Sequence, residues 1–215
     1  MKLLSINVGK PQKFIWQEKE VMTSIFKKPT QGACHVNKTN LDGDQQSDLK
    51  VHGGIDKAVY AYSYDTYSWW QQELNQSNLE YGAFGENLTV DSLDETNIFV
   101  GDIFKVGTCI LQVTQPRVPC FKLEIKFQDS KIIEKFINFR RCGVYFRVLK
   151  EGNIQTGDSL ELTGSEKIKA SVRELFQYYT NKSAISKTRA AEIAQIESLS
   201  PKWKERFQNI ANSKE

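Results

Sequence analysis

Near residue 167 the spacing of apolar residues changes from a period of two to a period of 3.6, and this switch constrains the fold more than any other feature of the chain. Upstream, short apolar runs alternate with turn residues. Leu3–Val8 opens the pattern, Asp56–Ser63 alternates aromatic and small residues, and Asn97–Val100 passes through Gly101-Asp102 into Ile103–Val106. A second pair, Gly157-Asp158, precedes Leu160-Glu161-Leu162. Short strands at close spacing, joined by glycine-rich turns, predict a mainly β fold, a closed or nearly closed barrel rather than a doubly wound parallel sheet. Two inserted helices are expected. Tyr67, Trp70 and Leu74 fall on one face of the first, and Ile132, Ile133, Phe136 and Ile137 on one face of the second, behind Asp129 or Ser130 as cap.

Downstream, Ser171-x-x-Glu174 is a capping box that opens a helix with Val172, Leu175, Phe176 and Tyr179 on one side. A second helix starts near Ser186 and buries Ala190, Ile193 and Ala194. Ser200-Pro201 supplies the cap and first-turn proline of a third, with Trp203, Phe207 and Ile210 as its apolar stripe. Lys202, Lys204 and Arg206 flank that stripe at positions expected to be exposed. Helices this short are not stable alone in water, so they must pack on one another or on the barrel. The predicted organisation is a β-barrel domain over residues 1–166 and a small three-helix domain over residues 167–215. Charge divides at the same point: residues 167–215 carry ten Lys and Arg against five Asp and Glu, residues 1–166 nineteen against twenty-one. The basic excess reads either as a solvated helical face or as a docking surface for an acidic partner.

No apolar run approaches the roughly 18–20 residues of a membrane span, and the start of the chain lacks a secretory pattern, so a cytoplasmic protein without membrane association is expected. The four cysteines show no C-x-x-C spacing, which argues against a zinc site or a disulfide framework. Neither a P-loop nor a dinucleotide fingerprint is present, and two histidines without a nucleophile elbow give a hydrolase triad little support. Nucleic acid is not an expected partner, because the barrel portion is net acidic and the aromatics follow core spacing.

The cysteines differ in their surroundings. Cys109 shares a strand face with Leu111 and Val113, and Cys142 with Val144, Phe146 and Val148, so both read as small core residues. Cys34 lies in a polar stretch beside His35. Cys120 sits in Gln115-Pro116-Arg117-Val118-Pro119-Cys120-Phe121-Lys122, where two prolines forbid regular structure and two cations lie within three residues. Positive charge beside a cysteine favours the thiolate, which attacks electrophiles or binds soft metals; a buried loop thiol is the alternative. Gly53-Gly54 allows close backbone approach to a ligand or a tight turn. Asn87, in the turn-like Phe84–Leu88 segment, is placed to present amide donors and acceptors.

Taken in order, Leu41-Asp42-Gly43-Asp44-Gln45, Lys50-Val51-His52-Gly53-Gly54-x-Asp56-Lys57-Ala58, Phe84-Gly85-Glu86-Asn87-Leu88, Gly101-Asp102 and Gln115-Pro116-Arg117-x-Pro119-Cys120 resemble the MOSC domain, the family named for the C-terminal domain of molybdenum cofactor sulfurase, and within it the YiiM-like branch. The resemblance spans nearly the whole chain, since that branch also carries a C-terminal three-helix domain. It implies a β-barrel that holds a molybdopterin-type molybdenum cofactor, with Cys120 as both catalytic residue and molybdenum ligand. Gly53, Gly54, Asp56, Lys57, Asn87 and Arg117 are then the candidate cofactor-binding residues. The implied activity is reduction of N-hydroxylated compounds such as hydroxylaminopurine base analogues; a non-catalytic carrier of the cofactor or its sulfur is the alternative. With no flavin, haem or iron–sulfur motif in the chain, electrons are expected from a separate flavoprotein reductase, for which the basic helices are the candidate docking surface. Assembly as a homodimer stays open.

Overall fold

The computed structural model describes residues 1–47, 53–181 and 184–213. Strand β1 (Leu3–Val8) leads into the hairpin β2 (Gln12–Trp16) and β3 (Lys19–Thr23), whose turn residues Gln17 and Glu18 both have positive φ, matching the right-handed strand twist. Next come β4 (Lys28–Pro29), β5 (Cys34–Val36) and β6 (Val59–Ser63). Helix α1 (Tyr67–Glu73) precedes β7 (Leu88–Val90), β8 (Ile103–Val106) and β9 (Cys109–Pro116). Helices α2 (Lys122–Phe127) and α3 (Ile132–Phe139) separate β9 from β10 (Val144–Lys150), β11 (Gly152–Ile154) and β12 (Leu160–Gly164). The chain ends in α4 (Val172–Thr180), α5 (Lys187–Ala194) and α6 (Pro201–Ala211).

Among the described residues, eight strands form one sheet in the order β12-β8-β9-β10-β6-β7-β1-β4, antiparallel except for the β6–β7 pair. Of the closed or nearly closed barrel expected, the closed form is not found among the described residues, whose sheet has no continuous closing ladder. The physical cause lies in β1, which pairs with β7 along one edge and divides the other. β4 and the following Thr30 N–H, bonded to Ile6 O at 2.8 Å, take one half. The start of β12 takes the other half through the single Lys2–Ser159 bridge and the bonds from Leu3 N to Asp158 O (2.9 Å) and Leu160 N to Met1 O (2.8 Å). The two ends of the sheet therefore touch without zipping.

Tyr60 and Tyr62 point to the same side of β6, as alternate strand residues must. On that side Tyr62 Oη accepts from Trp70 Nε1 at 2.7 Å, and the ring meets Phe84 and Phe136, so the helices between strands are held by one aromatic cluster. α3 is not capped by Asp129 or Ser130 directly; Lys131 occupies the cap position, and the Asp129 carboxylate accepts its N–H at 2.8 Å. Ser171 and Ser186 cap α4 and α5 as their spacing predicts, accepting from Glu174 N and Arg189 N. Pro201 opens α6, but the Ser200 hydroxyl makes no capping bond.

The C-terminal helices share one buried apolar cluster with the sheet. Backbone bonds from Val172 N to Ile98 O, Val100 N to Ala170 O and Arg173 N to Glu95 O seat α4 on the loop before β8, and Glu166 accepts from Glu197 N and Ser198 N ahead of α6. Only Lys202 of the basic flank of α6 is exposed; Lys204 and Arg206 are half-buried.

Candidate active site

The β9–β10 ladder ends where Pro116 faces Val144, and the Arg117 N–H makes one more bond, to Gly143 O at 3.3 Å. Pro119 then withholds a donor, so the chain leaves the sheet until Cys120 O accepts from Leu123 N (2.9 Å) and α2 begins. Cys120 is thus pinned between the end of a strand and the start of a helix, and it is half-exposed while Cys34, Cys109 and Cys142 are buried. Burial pushes the Cys109 thiol up to about 12 and the Cys142 thiol well above its ordinary value, and it raises Cys34 as well.

Cys120 stands where two clefts meet. The first, about 670 Å³ with its mouth included, lies over Tyr60 and is lined by Lys27, Asp44, Lys57, Asn87, Arg117, Cys120 and Lys122 among others. Four of these are cationic. Arg117 is 5% exposed, its guanidinium lies 4.9 Å from the Phe136 ring centre and 5.6 Å from that of Tyr60, and its Nη1 is buried without a hydrogen-bond partner. A buried charged donor left unpaired is costly.

Lys27, which sequence reasoning missed, forms a buried ion pair with Asp44. Asp44 also accepts from Gly9 N at 2.8 Å and from Asn87 Nδ2 at 2.9 Å, while Asn87 Oδ1 accepts from Tyr60 N at 3.1 Å. Asn87 therefore borders the cleft with both ends of its amide engaged, and it ties β6 to the acid. Burial pushes the Lys27 amine below its ordinary value despite Asp44. Asp44 lies in a segment that the family resemblance had marked; Lys27 carries no local signal, since its partner is 17 residues away.

The second cleft, about 1090 Å³ with its mouth included, shares Lys57, Val118, Cys120 and Tyr145 with the first. Its other wall comes from the C-terminal helices through Tyr179, Lys202, Trp203 and Arg206, with Phe121 beside the cysteine. Burial pushes the Tyr145 phenol up to about 12, which leaves it a neutral donor at the junction.

The remaining predicted residues stand apart. Gly54 has φ 95° in an open turn, where its N–H donates to Gln46 Oε1 at 3.0 Å; Gly53 precedes it, and neither borders a cleft. The Asp56 carboxylate accepts from Arg147 Nε (2.9 Å) and Nη2 (2.6 Å), and the same Nη2 reaches Ser198 O at 2.9 Å. Asp56 thereby links the sheet to the C-terminal helices and does not line either cleft. Lys50, Val51 and His52 of the same segment lie outside the described residues. Among the described residues, no three His, Cys, Asp or Glu side chains cluster to hold a metal, and no helix is long and apolar enough to cross a membrane.

A family model described as the MOSC domain matches residues 48–161. The uncharacterized protein YflK of Bacillus subtilis (strain 168) is 38% identical over 207 residues, which cover 95% of this chain and 92% of that protein. A protein named reductase from Gibberella moniliformis (strain M3125 / FGSC 7600) is 36% identical over 146 residues, 66% of this chain but 26% of that longer protein. Among solved structures, that of YiiM from Geobacillus stearothermophilus superposes with a TM-score of 0.81 at 32% identity, covering 98% of both chains.

Proposed function

The chain belongs to the MOSC domain family, and from that premise we propose that it is a molybdenum-cofactor-dependent oxidoreductase that reduces N-hydroxylated compounds, hydroxylaminopurine base analogues among them, with Cys120 as the protein's ligand to molybdenum. The observation that carries the reading is the place of Cys120, the half-exposed thiol at the junction of a cationic cleft with a second, aromatic one. The relative named reductase supports the reaction class.

The donor set suits the cofactor. One protein thiolate is a soft ligand, and with no cluster of three protein donors among the described residues, a metal at Cys120 would take its other ligands from the cofactor. When bound, the molybdenum centre supplies two-electron oxygen-atom exchange. Arg117 would hold an anionic group of the cofactor with its guanidinium, which lines this cleft, and Lys57 and Lys122 would add positive charge along the same wall. Asn87 and Asp44 fix the floor of the cleft by their mutual bond. Removing oxygen from an N–OH group as water consumes two electrons and two protons, and the neutral Tyr145 hydroxyl is the donor we assign beside the reacting group. A separate flavoprotein reductase supplies the electrons, and the basic excess of residues 167–215 offers it a docking surface.

Protein purified from a host that makes the cofactor should contain molybdenum and pterin in near-equal amount and should reduce 6-N-hydroxylaminopurine with a small-molecule electron donor. Cys120→Ala should lower turnover by roughly a hundredfold or more at unchanged melting temperature, the scale of losing an essential catalytic group, and Cys120→Ser should be nearly as damaging, because an alkoxide is a harder ligand. Unchanged turnover in Cys120→Ala would overturn the thiolate assignment. Bound molybdenum without any turnover would favour a carrier over an enzyme.

A further inference from the structure

Glu86 stands in the chain between Gly85 and Asn87, which both border the first cleft, yet its own side chain is fully buried and borders neither cleft. Its carboxylate collects four donors. The Gly82 N–H reaches Oε1 and the Phe84 N–H reaches Oε2, each at 2.9 Å. Thr89 Oγ1 on β7 donates to Oε1 at 2.9 Å, and the Tyr67 hydroxyl on α1 donates to the same oxygen. Two of the four are amides of the loop that leads into Glu86, so the side chain folds its own approach into a turn, which the Gly85 N–H closes on Gly82 O at 3.0 Å. Gly82 and Gly85 both have positive φ, and a Cβ on Gly85 would lie 2.8 Å from Ile25 Cγ1, so the loop is pressed against residues 25–27. Lys126 spans that seam by donating to Ile25 O on one side and Gly82 O on the other. Ser24, Ile25 and Lys27 line the first cleft on one side of the seam, and Phe84, Gly85 and Asn87 on the other.

A carboxylate accepts on both of its oxygens, whereas a glutamine of the same shape has one acceptor and would turn its NH2 toward a donor on the other side. The charge has a second effect on this wall. Burial lowers the Lys27 and Lys126 amines; Asp44 opposes this at Lys27, and Glu86 opposes it at both. The loop ends at Asn87, whose N–H donates to Tyr60 O at 2.8 Å and whose Nδ2 donates to Asp44 at 2.9 Å, so the path of the loop decides where the Asp44–Lys27 pair is held. We propose that Glu86 is a positioning residue of the first cleft: its carboxylate folds the 82–87 loop against residues 24–27 and thereby sets Asn87, Asp44 and Lys27 in place, without touching the occupant of the cleft. The inference rests on the reading above for the identity of that occupant, and it adds which buried group gives the wall its shape. Without the carboxylate, the Gly82 and Phe84 amides lose their acceptors in a buried place, and two buried amines lose an opposing charge.

The test uses the full chain and two readouts: amide hydrogen exchange in cofactor-free protein, and the rate at which cofactor-loaded protein releases molybdenum, followed by elemental analysis. In Glu86→Gln the Gly82 and Phe84 amides should exchange faster by roughly tenfold or more, the scale of one hydrogen bond to a charged group. Amides of the β9–β10 ladder should keep their wild-type protection. Molybdenum release should quicken by a similar factor at a temperature where the fold persists. Tyr67→Phe is the control for stability alone, because it removes one donor from the same carboxylate and leaves both loop amides bonded; it should keep wild-type exchange in the loop and wild-type release, whatever it does to the melting temperature. If Glu86→Gln does not fold, Glu86→Asp keeps the charge but withdraws it by one methylene, and the same two amides should exchange faster. Wild-type exchange of Gly82 and Phe84 in a folded variant would overturn the proposal. So would equal loss of protection in every strand, or in Tyr67→Phe, since the carboxylate would then be an ordinary core contact. Loop amides set free with molybdenum release unchanged would overturn it as well, because the cleft would not depend on the loop. Loosened loop amides in a protein that, even as wild type, takes up no molybdenum would uphold the positioning role and sink the cofactor reading, so the two failures are distinguishable.

Discussion

Replacing Cys109 or Cys142 by alanine would leave the volume of one sulfur empty at a fully buried position, and the surrounding strands are too constrained to collapse onto it. Each change is expected to lower stability by about 1–2 kcal/mol and to leave activity intact, as urea unfolding and a turnover assay would show. Loss of activity at normal stability in either variant would refute the separation of these thiols from Cys120. Lys126 offers a second check on a single residue. Its amine donates to Ile25 O (3.0 Å) and Gly82 O (2.8 Å), and burial pushes it down to about 8 from its ordinary 10.5. Below pH 8 this lysine is charged in both folded and unfolded chains, and folding bears the cost of burying the charge. Between pH 8 and 10.5 the unfolded chain keeps the proton that the folded one has lost, so stability gains from this group as pH rises, by at most about 1.4 kcal/mol per unit. Lys126→Met should flatten that slope in unfolding curves taken across the window. An unaltered slope would mean that the amine titrates at its ordinary value.

At the scale of elements, the ion pair of Asp56 with Arg147 joins the turn after Gly54 to β10, and through Ser198 to the approach to α6. Asp56→Asn keeps the shape but removes the charge, and a partly exposed pair of this kind is worth about 1 kcal/mol. The expected result is a lower melting temperature with molybdenum content preserved; loss of the metal at a temperature where the fold persists would return Asp56 to the cofactor site. The sequence marked this residue by its neighbours, yet what its side chain does depends on a partner 91 residues away, which no local pattern reveals. The caps of α4 and α5 were legible because Ser171 and Ser186 act within three residues of themselves. α2 was missed: it is six residues long, and its tie to the loop at Ile25 and Gly82 comes from Lys126, which reads as a surface charge. Arg206 was misread for a related reason. Beside an apolar stripe a cation is ordinarily solvated, whereas here it lies on the rings of Tyr179 and Trp203.

For the whole molecule, the sheet and the C-terminal helices bury one continuous apolar cluster, so removing residues 167–215 would strip cover from β9 and its neighbours. The truncated chain is expected to lose solubility, by contrast with a unit joined only by a linker; a soluble, cooperatively unfolding fragment of residues 1–166 would contradict this. Cys120 shows the limit of sequence reading at this scale. Its prolines and cations singled it out, but the second cleft exists only because α4 and α6 arrive from the far end of the chain.

The divided edge of β1 has a consequence for how the protein is made. Residues 3–6 pair with residues 88–90, and the half of the other edge that β4 does not take waits for the backbone around Ser159. The first strand to leave the ribosome is therefore among the last to be satisfied, across a separation of some 150 residues that must be closed against chain entropy. Until then its unpaired amides and carbonyls are open to other chains, as exposed strand edges are. Refolding from urea should accordingly be slow, in the millisecond-to-second range of folds dominated by distant pairings, with yield falling as protein concentration rises.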